Sequence, residues 1–191
     1  ESYVFFSVSD EARTGRIEAT RPDLGLVLPL DADGDGTVTR EEFLARSDEV
    51  FRFFASRLTI THDGVDYPIS GTGFDFLDTK HGTFAKIGFT VAGLNPTPDA
   101  VDIAYSSPIS DVAAGHLGYG LIENNTRTGV TDNESHISLI FEPGGGAKRL
   151  SLVGDPPFKV FKDFVVHGMW HIWLGFDHVL FLITLLLPAV L

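Results

Sequence analysis

The chain has 191 residues, with 26 acidic against 14 Lys and Arg side chains, a formal net charge of -12 and no cysteine. That balance excludes a nucleic-acid surface, which needs clustered basic groups. The missing thiols exclude disulfides, thiolate metal sites and cysteine nucleophiles. A hydrophobic fraction of 43% suits one or two globular units, but the apolar residues concentrate from Phe164 to Leu191.

The chain starts at Glu1 rather than Met. A removed export signal and a chain trimmed at that point both fit. In YVFFSVSDEARTGRIEAT, the alternation of Val4, Phe6 and Val8 predicts a strand, and Thr14-Gly15 predicts a turn before Arg16–Ala19. In RPDLGLVLPL, Pro22 and Asp23 suit the first turn of a short helix. Pro29 must end that helix.

Residues 31–42, DADGDGTVTREE, have the spacing of an EF-hand-type calcium loop. Oxygen ligands fall at Asp31, Asp33, Asp35, Thr37, Thr39 and Glu42. Thr37 would use its backbone carbonyl, Thr39 would ligate directly or through water, and Glu42 would be bidentate. Gly36 stands where the backbone must turn into a left-handed conformation. Val38 is expected to point into the core. Sensor EF-hands act in pairs, so a single loop reads as a structural clamp.

Thr39 and Glu42 have capping-box spacing, which predicts a helix from Thr39 to Leu58. Phe43, Val50, Phe54 and Leu58 share one face of it, with Leu44 and Phe51 beside them. From there the pattern changes to period two. Expected strands are Leu58–His62, Val65–Ile69, Gly73–Asp78, Phe84–Val91, Ala100–Tyr105, Leu117–Glu123, His136–Phe141 and Leu150–Val153. Turn signals are Asp63-Gly64, His81-Gly82, Asn95-Pro96 and Gly144–Gly146. The expected fold is mainly β: an antiparallel β-sandwich, immunoglobulin-like, with the calcium loop and one long helix. His62, His81, His116 and His136 are scattered without metal-ligand spacing.

The expected organisation is a domain over residues 1–154, a linker over 155–163 and a transmembrane helix over 164–191. A helix of that length spans roughly 30 Å or more, enough to cross a bilayer. The chain ends at Leu191 inside the apolar run, which reads as a fragment of a longer membrane protein. Within the run, His167, His171 and His178 share a helical face, and Asp177 lies about a quarter turn away. Ionisable groups at membrane depth are costly and mark pathways or metal sites. Imidazole suits nickel, cobalt, zinc and copper. Gly168 and Gly175 would admit another helix closely. The plainer reading gives these histidines to helix packing, or to the interface with Trp170 and Trp173.

HIWLGFDHVLFLITLLL, with His171 followed by Asp177-His178, resembles the first membrane helix of HupE/UreJ-like proteins. These are bacterial membrane proteins associated with nickel supply to hydrogenase and urease. The upstream DADGDGTVTREEF and the β-rich stretch resemble the extracytoplasmic region of one subgroup. The resemblance implies a polytopic permease in which His171, Asp177 and His178 contact the metal; His167 lies outside the core motif. Its remaining transmembrane helices, the lipid bilayer, metal ions and a membrane protein partner are the implied partners.

The chain is therefore expected to be no enzyme: no nucleophile motif, phosphate loop or dinucleotide fingerprint occurs. The leading expectation is the extracytoplasmic domain and first membrane helix of a nickel/cobalt permease, with structural Ca2+ and with Ni2+, Co2+ or Zn2+ at the helix. The alternative is a calcium-stabilised, membrane-tethered binding or scaffolding module. A membrane hydrolase with histidine-bound zinc is weaker, because it needs a general base and ligands from other helices.

Overall fold

The computed structural model describes residues 2–9, 12–80, 82–112 and 115–154, with 161, 165, 166 and 169. The chain divides into one unit over Glu1–Val153 and a second over Gly154–Leu191. The expected linker and membrane helix, with His167, His171, Asp177 and His178, lie outside the described residues, apart from the isolated positions above. Among the described residues no helix is long and apolar enough to cross a membrane.

The first unit is mainly β. Its strands are β1 (Ser2–Val8), β2 (Arg13–Thr20), β3 (Leu58–His62), β4 (Val65–Asp66), β5 (Ile69–Thr79), β6 (Gly82–Val91), β7 (Ala100–Tyr105), β8 (Gly118–Asn125), β9 (Ile137–Phe141) and β10 (Lys148–Ser151). Three helices, α1 (Arg21–Val27), α2 (Arg40–Ala45) and α3 (Ser47–Ala55), fall between β2 and β3. One sheet has the order β5-β6-β2-β1-β8-β9 and the other β10-β7-β3-β4. Both contribute to one core: Val4, Ile17, Ile87 and Phe89 come from the first, and Ile60, Val101 and Ile103 from the second.

Three expectations need correction. First, β1 and β8 pair in parallel, Ser2 opposite Gly118, so the larger sheet is mixed rather than wholly antiparallel. Second, Thr14-Gly15 is not a turn. It lies within β2, opposite Thr90 and Phe89 of β6, and the connection from β1 falls at residues 9–12. A Cβ on Gly15 would collide with the Phe89 ring and the Phe5 carbonyl oxygen, so this glycine serves close approach rather than chain reversal. Third, the single helix over Thr39–Leu58 is two. It breaks at Arg46, whose φ of -118° and ψ of 21° leave the helical region. It also ends before Leu58, which opens β3.

The faces of the two helices follow the expected pattern. Phe43, Val50 and Phe54 are fully buried. Phe43 meets Phe74 and Phe76 of β5 edge-on, with centroids 5.4 Å and 5.1 Å away. Phe51 packs on Gly71, where a Cβ would come within 3.2 Å of its ring. Together these contacts fix α2 and α3 against β5, and with them the acidic loop that precedes α2.

Candidate metal centre

The acidic loop is held at both ends by its neighbours in sequence. Thr20 caps α1 by accepting the Asp23 amide at 3.2 Å, with Pro22 in the first turn. The helix stops at Val27, and Leu28 is extended, as a proline at position 29 demands. Leu28 and Leu30 are buried and anchor the chain just before Asp31. The loop is therefore entered from an extended segment, not directly from a helix. At its far end Val38 is buried in the core, and a Cβ on Gly25 of α1 would come within 3.1 Å of its side chain.

Between these anchors the loop folds around its own carboxylates. Asp31 accepts the Gly34 amide at 2.7 Å through Oδ1 and the Gly36 amide at 2.8 Å through Oδ2. Asp33 accepts the Asp35 amide at 3.1 Å, and Asp35 the Thr37 amide at 2.7 Å. Gly34 and Gly36 have φ of 76° and 85°, the left-handed region that glycine enters without steric cost. One carboxylate oxygen from each of Asp31, Asp33 and Asp35 lies within 4.8 Å of the others. Asp33 and Asp35 are exposed and Asp31 is half-buried.

Glu42 closes the loop. Its Oε1 accepts the Ala32 amide at 2.7 Å and the Asp33 amide at 3.4 Å. Its Oε2 accepts the Thr39 amide and hydroxyl, each at 2.8 Å. The Thr39 hydroxyl in turn accepts the Glu42 amide at 3.3 Å, completing a capping box. The Thr39 amide and hydroxyl, followed by the Ala32 amide, hold the Glu42 carboxyl down at about 2.

The structure thus brings Asp31, Asp33 and Asp35 together and ties Glu42 to both ends of the same loop. These donors are all oxygen, the chemistry that hard cations such as calcium take. Among the described residues, these aspartates form the one group of three or more metal-ligating side chains whose ligand atoms converge. His62 lies 3.4 Å from Asp63 and His116 lies 3.7 Å from Asp23. His81 is outside the described residues. Arg46, absent from the sequence reading, donates to the Pro29 carbonyl and pairs with Glu49 at 2.9 Å, bracing the α2–α3 break against the start of the loop. A backbone acceptor seventeen residues upstream leaves no pattern to read.

A family model described as HupE / UreJ protein matches residues 148–190. Over those residues the chain is HupE/UreJ-like. The matched stretch opens at Lys148, the first residue of β10, and runs through His167, His171, Asp177 and His178. HupE/UreJ proteins are a membrane family related to nickel and cobalt transport, a transport or accessory family rather than an enzyme family. No curated protein matches the chain.

Proposed function

We propose that this HupE/UreJ-like chain is the extracytoplasmic domain and first membrane helix of a transition-metal permease. Nickel or cobalt is the cargo. The observation that carries the proposal is the family match over residues 148–190, which contains the only stretch combining three histidines and an aspartate with a strongly apolar background. In this reading His171, Asp177 and His178 are cargo ligands, and His167 assists from the same face. The domain over residues 1–154 stands outside the membrane and captures, gates or docks.

Calcium is the resident ion of that domain. Asp31, Asp33, Asp35, Thr37, Thr39 and Glu42 would hold it, and it would neutralise mutually repelling carboxylates and pin α2 to the loop. The site favours a structural role because it is single and because Glu42 is already part of the helix cap.

Uptake of nickel and cobalt by the full-length protein tests the main proposal. His171→Ala with His178→Ala should abolish uptake while leaving membrane insertion intact. Unchanged uptake sinks the permease reading. The second reading, a calcium-stabilised tethered scaffold, draws on the all-oxygen character of the loop. It predicts a stable protein partner and no transition metal on the purified protein.

A further inference from the structure

The larger sheet has a second face, turned away from the shared core, and strand register maps it row by row. One row runs Ile140, Tyr119, Tyr3, Glu18, Lys86, Asp75 across β9, β8, β1, β2, β6 and β5. The adjacent row runs Ile137, Leu121, Phe5, Arg16, Gly88, Gly73. The positions on β9, β8 and β1 are apolar or aromatic; those on β2, β6 and β5 are the charged Glu18, Lys86, Asp75 and Arg16, with Gly88 and Gly73. The apolar positions span β9, β8 and β1, which include the parallel pair.

Arg16 shows how the face handles a cation. Its guanidinium lies 4.0 Å from the Phe5 ring centroid. It pairs with Glu18 at 2.5 Å, with Glu123, and with Glu134 at 3.4 Å. Aromatic face below and carboxylates around is the arrangement that recognises organic cations. Beside it a cleft of about 250 Å³ repeats those components. It is lined by Tyr3, Phe5, Phe84 and Leu77, with Thr79, and carries the carboxylates of Glu18 and Glu134. Glu134 is well exposed, with 66% of its side chain open to solvent and only the longer contact to Arg16. Across the whole network, three glutamates face two cations, Arg16 and Lys86.

We propose that this cleft binds an organic cation with an apolar stem, an alkylamine, guided by charge toward Glu134 and Glu18 and stacked on the Tyr3 and Phe84 rings. Such a site shares no lining residue with the calcium loop.

Calorimetric titration of the full-length protein in neutral detergent with butylammonium, and in parallel with butanol, is the test. Saturable binding of butylammonium is expected, with a dissociation constant on the order of 1 mM, and none of butanol. Glu134→Gln should weaken it roughly tenfold. Leu77→Arg, which places a cation of the protein's own in the cleft, should abolish it. Glu142→Gln, a surface acid elsewhere, should leave it unchanged. Equal binding of butanol, no saturation, or indifference to both Glu134→Gln and Leu77→Arg overturns the proposal. Glu134 and Leu77 are both exposed, so neither variant threatens the fold.

Discussion

Phe43 stands edge-on to Phe76 of β5, with ring centroids 5.1 Å apart and planes inclined at 79°. The preceding residue, Glu42, holds the amides of Ala32 and Thr39 at opposite ends of the acidic loop. The hydrophobic anchor of α2 and the closure of the loop are therefore adjacent residues on one helical turn. Packing on one side fixes geometry on the other.

Phe43→Ala should cost about 3–5 kcal/mol, since it empties a fully buried aromatic site against Phe74 and Phe76. Because Glu42 rides on the same turn, amide exchange at Ala32 and Thr39 should quicken beyond what global destabilisation explains. Urea unfolding gives the first quantity and hydrogen exchange the second. Unaltered local protection at those amides would show the loop to be indifferent to α2.

Two glycines should respond to alanine in different ways. Gly15→Ala drives a methyl into the Phe89 ring and the Phe5 carbonyl in the middle of a six-stranded sheet; overpacking of this kind costs about 1–3 kcal/mol. Gly64→Ala meets no atom within 4 Å but keeps a φ of 77°, so it carries only the left-handed backbone penalty, roughly 1 kcal/mol. Thermal unfolding of both variants should rank Gly15→Ala as the more damaging, and the reverse ranking rejects the close-approach role.

Those two glycines also mark what local sequence can and cannot reveal. Leu58–His62 and Ala100–Tyr105 were legible to the residue, because alternation over a half-buried strand is a local signal. Asp63-Gly64 was legible as a turn for the same reason. Thr14-Gly15 was misread, because a glycine that makes room for Phe89 looks the same in sequence as one that reverses the chain. The pairing of Ser2 with Gly118 links positions far apart in sequence and leaves no periodic trace. The Arg46 contact at the helix break reaches the Pro29 carbonyl, seventeen residues upstream. In the loop the aspartates and the Thr39–Glu42 box could be read from spacing alone, since their contacts lie within one short segment. The Arg16 network escaped because Glu123 and Glu134 arrive from β8 and from the loop after it.

Acid should expose the capping role of Glu42. Its carboxyl is lowered from 4.5 to about 2 by the Thr39 amide and hydroxyl and then by the Ala32 amide. A depressed carboxyl contributes stability that is fully present above the unfolded value and is lost as pH falls through the folded one. In chelator, the unfolding midpoint should therefore drop between about pH 4.5 and pH 2, and Glu42→Gln should flatten that drop while lowering the midpoint at neutral pH. Parallel pH profiles for the two proteins would remove Glu42 as the source.

The aspartates of the loop invite a cleaner test of calcium than their deletion. Asp31→Ala would strip the acceptors of the Gly34 and Gly36 amides, so lost binding could reflect a collapsed loop. Asp33→Asn keeps an oxygen for the Asp35 amide and removes only charge. With carboxylate oxygens of Asp31, Asp33 and Asp35 within 4.8 Å of one another, the calcium-free loop bears repulsion that one amide relieves. Asp33→Asn should therefore unfold at the same temperature as wild type, or slightly higher, in chelator. With calcium the ranking should invert. Wild type gains about 2.7 kcal/mol when the ion stands at one hundred times its dissociation constant, and the variant gains far less at the same concentration. Magnesium should raise the wild-type midpoint less, because it demands a smaller octahedral shell than this loop of carboxylates and carbonyls supplies. An equal calcium-dependent rise in wild type and Asp33→Asn would remove these aspartates from the ion's coordination and leave the loop as a purely hydrogen-bonded clamp on α2.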